Sequence, residues 1–149
     1  MEGKITTIQG FKAVGMTYLG DNKNGEIPKL WEAFNARFRD IKHLGKSMLF
    51  YGICDGEIDS QSRFHYSACA EVDSFEDVPE NMETKVVEEG KYMVYTYTGA
   101  MKDLGEFYEN IFSKWLPASG CEIDCRPHLE LYDHRYMNSG EFDIYIPVK

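Results

Sequence analysis

The sequence predicts an α+β fold of two pseudo-symmetric β-α-β-β halves, with antiparallel sheets, two main helices and a central ligand cleft. Three observations carry this. Apolar residues alternate with polar ones over 63–72, and 91–98 is strongly β-prone, as strands require. Apolar residues recur at helical spacing in two stretches, 27–41 and 103–116. Residue strings also repeat between the halves. Met16-Thr17-Tyr18-Leu19-Gly20 lines up with Tyr95-Thr96-Tyr97-Thr98-Gly99, and Leu30, Trp31, Phe34 and Phe38 line up with Phe107, Tyr108, Ile111 and Trp115. Phe64-His65-Tyr66-Ser67-Ala68 falls opposite Phe142-Asp143-Ile144-Tyr145-Ile146. At 149 residues the chain suits a single domain, 1–149, large enough to bury a core.

The first half spans about 4–72. It opens with a strand over 4–19, broken near Gly10 and closed by Gly20. A polar loop rich in Asn and Gly, 21–25, leads to the first helix, where Leu30, Phe34 and Phe38 form an apolar face that Trp31 widens. Pro28 fits its first turn. Residues 48–53 form a short apolar strand ended by Asp55-Gly56, and 63–72 is the next strand. Residues 73–90 are acidic, contain Pro79 and show no sustained period, which marks a connector.

The second half, about 91–149, repeats the order. Strand 91–98 is followed by helix 103–116, whose buried side carries Leu104, Phe107, Tyr108, Ile111, Phe112 and Trp115. Pro117 is expected to stop it. The last strands, 128–133 and 141–148, are expected to meet through a turn containing Asn138-Ser139-Gly140.

A net charge of −9 without clustered Lys or Arg argues against direct nucleic-acid binding. No apolar run reaches the length of a membrane span. Met1-Glu2-Gly3-Lys4 lacks the basic-then-apolar order of a secretory signal, so a cytoplasmic protein is expected, with its four cysteines reduced. Cys54 and Cys69 read as small core residues. The aromatic share, 14%, suits a pocket wall as well as a core.

Alternation in 128–133 puts His128, Glu130 and Tyr132 on one side and Leu129 and Leu131 on the other. Glu130 is therefore a mid-strand carboxylate among apolar neighbours. Tyr145 leaves its strand opposite Phe142, Ile144 and Ile146, and a hairpin pairing would let it face the side of Glu130. A carboxylate among rings in a dry cleft favours a cation. The competing reading is a solvated face of a half-exposed sheet.

Rival sites are weaker. Cys121, Cys125 and His128 form a C-x3-C-x2-H cluster without a fourth ligand or zinc-finger spacing. His65, His128 and His134 have no nucleophile or acid partner implied by spacing. Glu57, Asp59, Glu71 and Asp73 lack the ligand spacing of a calcium loop. No metal or cofactor is expected.

The double β-α-β-β order, Tyr51-Gly52, Trp115-Leu116-Pro117-Ala118-Ser119-Gly120, Glu130-x-Tyr132 and Ile144-Tyr145-Ile146-Pro147-Val148 together resemble the GyrI-like family. That domain also forms the effector-binding half of some AraC-type and MerR-type multidrug regulators. The resemblance covers nearly the whole chain and implies a pocket for small, often cationic and aromatic, molecules. It places Glu130 at the family's pocket glutamate and Tyr145 at an aromatic of the final strand, with Trp31, Tyr51, Tyr95 and Trp115 as further lining residues. Nothing before Lys4 offers a helix-turn-helix, so the chain is not expected to bind DNA itself. The leading expectation is binding, for sensing or sequestration, of a cationic or amphipathic aromatic molecule. The alternative is a hydrolase detoxifying strained electrophilic natural products, with Glu130 as base and Tyr145 or Tyr95 as acid. A third is a gyrase-interacting modulator. Oligomeric state is left open.

Overall fold

A computed structural model describes residues 1–55, 60, 61 and 63–149. Gly56 of the expected turn, Glu57 and Asp59 lie outside the described residues. The strands are β1 (Lys4–Ile8), β2 (Phe11–Gly20), β3 (Phe50–Asp55), β4 (Phe64–Val72), β5 (Glu83–Val87), β6 (Gly90–Tyr97), β7 (His128–Tyr132) and β8 (Phe142–Pro147). They form one antiparallel sheet in the order β1-β6-β8-β7-β3-β4-β2-β5.

Chain connectivity forces that sheet to curl. β1 and β2 lie six strand spacings apart, about 29 Å if the sheet were flat. Yet only Gln9 and Gly10 separate Ile8 from Phe11, a reach of about 11 Å. The same constraint binds β5 to β6. Each half's leading strand therefore crosses to the other half's edge: β1 pairs with β6 and β5 with β2. The two linkers meet where Gln9 Nε2 donates to Glu89 Oε1 at 3.3 Å. Side chains from both ends of the sheet, Ala13, Val87 and Tyr92 among them, share one buried cluster with Tyr51, Ile53 and Leu129. That cluster fills the inside of the curl.

The outer face carries the helices. α1 (Glu26–Arg37) seats Phe34, fully buried, against Val14, Ala68, Ala70 and Val72. The second helical run packs Ile111 and Leu116 against Met93, Tyr95, Phe142, Ile144 and Ile146. It comprises α2 (Leu104–Asn110), a wide π-type turn (Ile111–Trp115) and α3 (Leu116–Ser119). Pro117 does not end the run. It lies in the first turn of α3, where its missing N–H needs no partner, and the run ends on Gly120 at φ 77°.

Two further elements depart from the sequence reading. β5 lies inside the expected connector, and the expected turn at Asn138-Ser139-Gly140 is the end of α4 (His134–Ser139). Asp133 caps α4 by accepting from the Arg135 backbone N–H, and Gly140 ends it in a left-handed conformation.

The sheet register fixes the internal symmetry. Gly52 pairs with Glu130 at the junction of the halves, Ala68 with Gly52, and Ile144 with Glu130. Met16 pairs with Ala68 and Tyr95 with Ile144, so Met16 and Tyr95 are equivalent as the repeat predicts. Ala68 corresponds to Ile144 rather than Ile146, because the second hairpin is two residues shorter.

Candidate functional site

Each helix covers the outer strands of its own half, which leaves the central pair β3 and β7 without a helix above it. A cavity of about 1470 Å³ opens there, between α1 and α2. Alternation along the two central strands decides its floor. Even-numbered positions face outward, so Cys54, His128, Glu130 and Tyr132 line the cavity.

Glu130 is 6% exposed and is the hub of a hydrogen-bond network. Tyr66 donates to its Oε1 at 2.6 Å and Tyr132 donates to the same oxygen at 3.1 Å. Tyr108 donates to Oε2 at 2.5 Å. Trp31 Nε1 donates in turn to the Tyr66 hydroxyl at 2.9 Å. The donors come from β4, β7, α2 and α1, so the carboxylate ties both helices to the sheet. A buried carboxylate is costly unless its oxygens are satisfied, and three phenols satisfy these.

Burial, and after it the Glu130 charge, pushes the Tyr66, Tyr108 and Tyr132 phenols well above their ordinary range. They therefore remain donors at neutral pH. Burial and the same charge hold the Cys54 thiol far up, and burial lowers the His128 imidazole. Among the described residues no Lys or Arg pairs with Glu130. Asp133, at the rim, is already paired: Arg135 Nε donates to it at 2.9 Å.

Gly52 makes this arrangement possible. It lies directly across the ladder from Glu130, and the Tyr66 hydroxyl and the carboxylate occupy the space a side chain would need. Cys54, expected in the core, instead lines the cavity, while Cys69 is fully buried and its thiol is pushed up to about 12 by burial.

Of the expected site residues, Glu130 and Trp31 line the cavity together. Tyr145 does not join them. Its ladder partner is Leu129, so it projects into the inner cluster, against Tyr92 at 5.8 Å. Tyr51 is opposite Leu131 and stacks on Phe11 on that same inner face. Tyr95 and Trp115 are on the outer face but pack together in the second-half core, rings 6.0 Å apart. The phenols expected as hydrolytic acids, Tyr145 and Tyr95, are thus not beside Glu130. The sequence reading missed Tyr66 and Tyr108. Tyr66 could have been found from its strand alternation, which places it in line with Phe64 and Ala68.

The cysteine-histidine cluster is also dispersed. His128 stands in the cavity wall with Phe112 stacked at 5.7 Å, Cys121 packs against the second-half core, and Cys125 is exposed. Among the described residues no three His, Cys, Asp or Glu side chains are grouped to hold a metal, and no helix is long and apolar enough to cross a membrane.

A curled antiparallel sheet with two helices flanking a carboxylate-floored cleft is the architecture of an effector-binding domain. The family model for the integron-associated effector binding protein Cass2 matches residues 4–148, and the chain belongs to that family. It is 32% identical over 152 residues to the transcriptional regulator BrlR of Pseudomonas aeruginosa, covering 99% of this chain and 56% of the regulator. The chain thus spans little more than half that relative's length. Among solved structures it is similar to SAV2435 bound to tetraphenylphosphonium, with a TM-score of 0.77, 19% identity and coverage of 100% of this chain and 94% of that one. An integron cassette protein from the mobile metagenome of Vibrio cholerae gives a TM-score of 0.73 and 22% identity, over 99% of this chain and 96% of that one. At these identities the two structures share the fold.

Proposed function

We propose that this protein binds a small organic cation with an aromatic or amphipathic body, for sensing or sequestration, and that Glu130 is the counter-charge. The observation that carries the reading is a buried carboxylate held by three phenols and by no cationic side chain among the described residues. Among the described residues the cavity lining includes Glu32, Glu130 and Asp133 but no Lys or Arg. Its walls also carry rings and aliphatic groups, among them Trp31, Phe50, Tyr108 and Phe112, with Asn22, Asn35 and Ser47 as neutral polar members. A cation entering this space gains Coulomb attraction in low dielectric, and ring faces add to it. The tetraphenylphosphonium bound by SAV2435, a protein of the same fold, has the charge and shape this cavity would accept.

The experiment is a titration of the intact chain with tetraphenylphosphonium, read by the change in intrinsic tryptophan fluorescence, to which Trp31 in the cavity lining contributes. Saturable binding is expected, with Glu130→Gln weakening it roughly ten- to a hundredfold, about 1.4–2.8 kcal/mol. Equal affinity in the two proteins would refute the role given to Glu130.

A further inference from the structure

The seven methionines are distributed unevenly. Met82 and Met93 are buried, Met16 packs on the first-half core, and Met1 is the terminus. The other three, Met48, Met101 and Met137, all line the cavity and are 44%, 50% and 87% exposed. They come from three separate places: the loop before β3, the turn before α2, and α4 in the β7–β8 hairpin. Met48 has a left-handed backbone conformation, φ 51°, uncommon for a residue with a side chain. Three segments that share no local sequence thus each place a solvent-exposed thioether on the same opening.

Thioethers have two properties that matter at such a position. They are flexible and polarisable, so they mould to aromatic ligands of different shapes. They are also the apolar side chains that oxidants convert to polar ones. We propose that Met48, Met101 and Met137 form a collar at the cavity mouth that is a reversible oxidation site, and that its oxidation weakens capture of bulky aromatic cations. The inference rests on the cation-binding reading above and adds a control to it. The oxidant is hydrogen peroxide. The sulfur lone pair takes the terminal peroxide oxygen, the O–O bond breaks, sulfur loses two electrons to become a sulfoxide, and the peroxide leaves as water. A methionine sulfoxide reductase reverses the step, using a dithiol that becomes a disulfide as the oxygen departs as water. A sulfoxide is polar and hydrated, so the collar then loses its apolar contact with a large guest. A small cation seated at Glu130 does not need that contact.

The cysteine nearest the site does not confuse the test. Cys54 is held as a thiol by burial and by the Glu130 charge, so it lacks the thiolate character that drives peroxide attack. Dithiothreitol treatment removes disulfides and sulfenic acids while leaving sulfoxides in place.

The intact chain is treated with hydrogen peroxide, reduced with dithiothreitol, mapped by peptide mass spectrometry and titrated with tetraphenylphosphonium and with tetramethylammonium. Oxidation is expected at Met48, Met101 and Met137 before Met82 and Met93. Affinity for tetraphenylphosphonium should fall roughly five- to tenfold, while that for tetramethylammonium stays level. The Met48→Leu/Met101→Leu/Met137→Leu variant keeps the collar apolar but removes its sulfurs, so its own affinity for tetraphenylphosphonium should be the same before and after peroxide treatment. Methionine sulfoxide reductase should restore the oxidised parent. An oxidised parent that binds tetraphenylphosphonium undiminished, or a triple variant that loses affinity equally on treatment, overturns the proposal. Absence of binding by the untreated protein would instead sink the cation-binding reading and remove the collar's role with it.

Discussion

Gly52 and Glu130 are direct ladder partners on the two central strands, and a Cβ on Gly52 would come within 2.5 Å of the Glu130 Oε1 atom. The internal twofold relates these two positions, so one half supplies the carboxylate and the other supplies its room. The asymmetry turns the junction of two similar halves into a single charged site.

Gly52→Ala should therefore act on binding before it acts on the fold. The methyl group displaces the Tyr66 hydroxyl and the carboxylate together. Affinity for tetraphenylphosphonium should drop about tenfold or more, with a stability loss of about 1–3 kcal/mol from overpacking. Calorimetric titration beside a urea melt separates the two effects.

Tyr66→Phe removes a donor from Glu130 and an acceptor from Trp31. Leaving buried polar groups short of partners should cost about 1–3 kcal/mol, read as a lower denaturant midpoint at unchanged slope. Pairing the change with Glu130→Gln should give a smaller loss than the two single losses added, since the two side chains act through one bond.

Alkaline pH is the natural stress on this network. The folded-state values of Tyr66, Tyr108 and Tyr132 lie above the unfolded phenol value near 10. Their contribution is thus complete below pH 10 and is lost as pH rises from there toward the folded values. A spectrophotometric titration of the ten tyrosines should show a late class that ionises only as the protein unfolds. Tyr108→Phe should shrink that class.

His128 contributes on the acid side. Its folded value is lowered by burial, so the stability it contributes is present above the ordinary value near 6.5 and lost as pH falls below it. Protonation would also place a positive charge in the cavity wall. Cation affinity should decline over that acid range, and His128→Asn should flatten the decline.

The sequence was most legible where residues act locally. The break at Gly10, the apolar face of α1 around Phe34, and the mid-strand position of Glu130 each follow from residue type and period. It was least legible where distant registers decide. Tyr145 faces away from Glu130 because Leu129 is its ladder partner, and that pairing depends on the six residues of α4 inserted in the hairpin. α4 buries none of its own residues, so no apolar period announced it. β5 shows little alternation because it is an edge strand with only Val87 buried. Tyr108 offered only a helical apolar position, and nothing local says that its hydroxyl reaches across to β7.

The most direct test uses two guests of one shape and different charge. Phenyltrimethylammonium and tert-butylbenzene differ in a quaternary nitrogen against a quaternary carbon. The parent protein should prefer the cation roughly tenfold or more, and Glu130→Gln should bring the ratio close to one. A preference for the cation that survives Glu130→Gln, or a parent that binds both guests equally, would contradict the account.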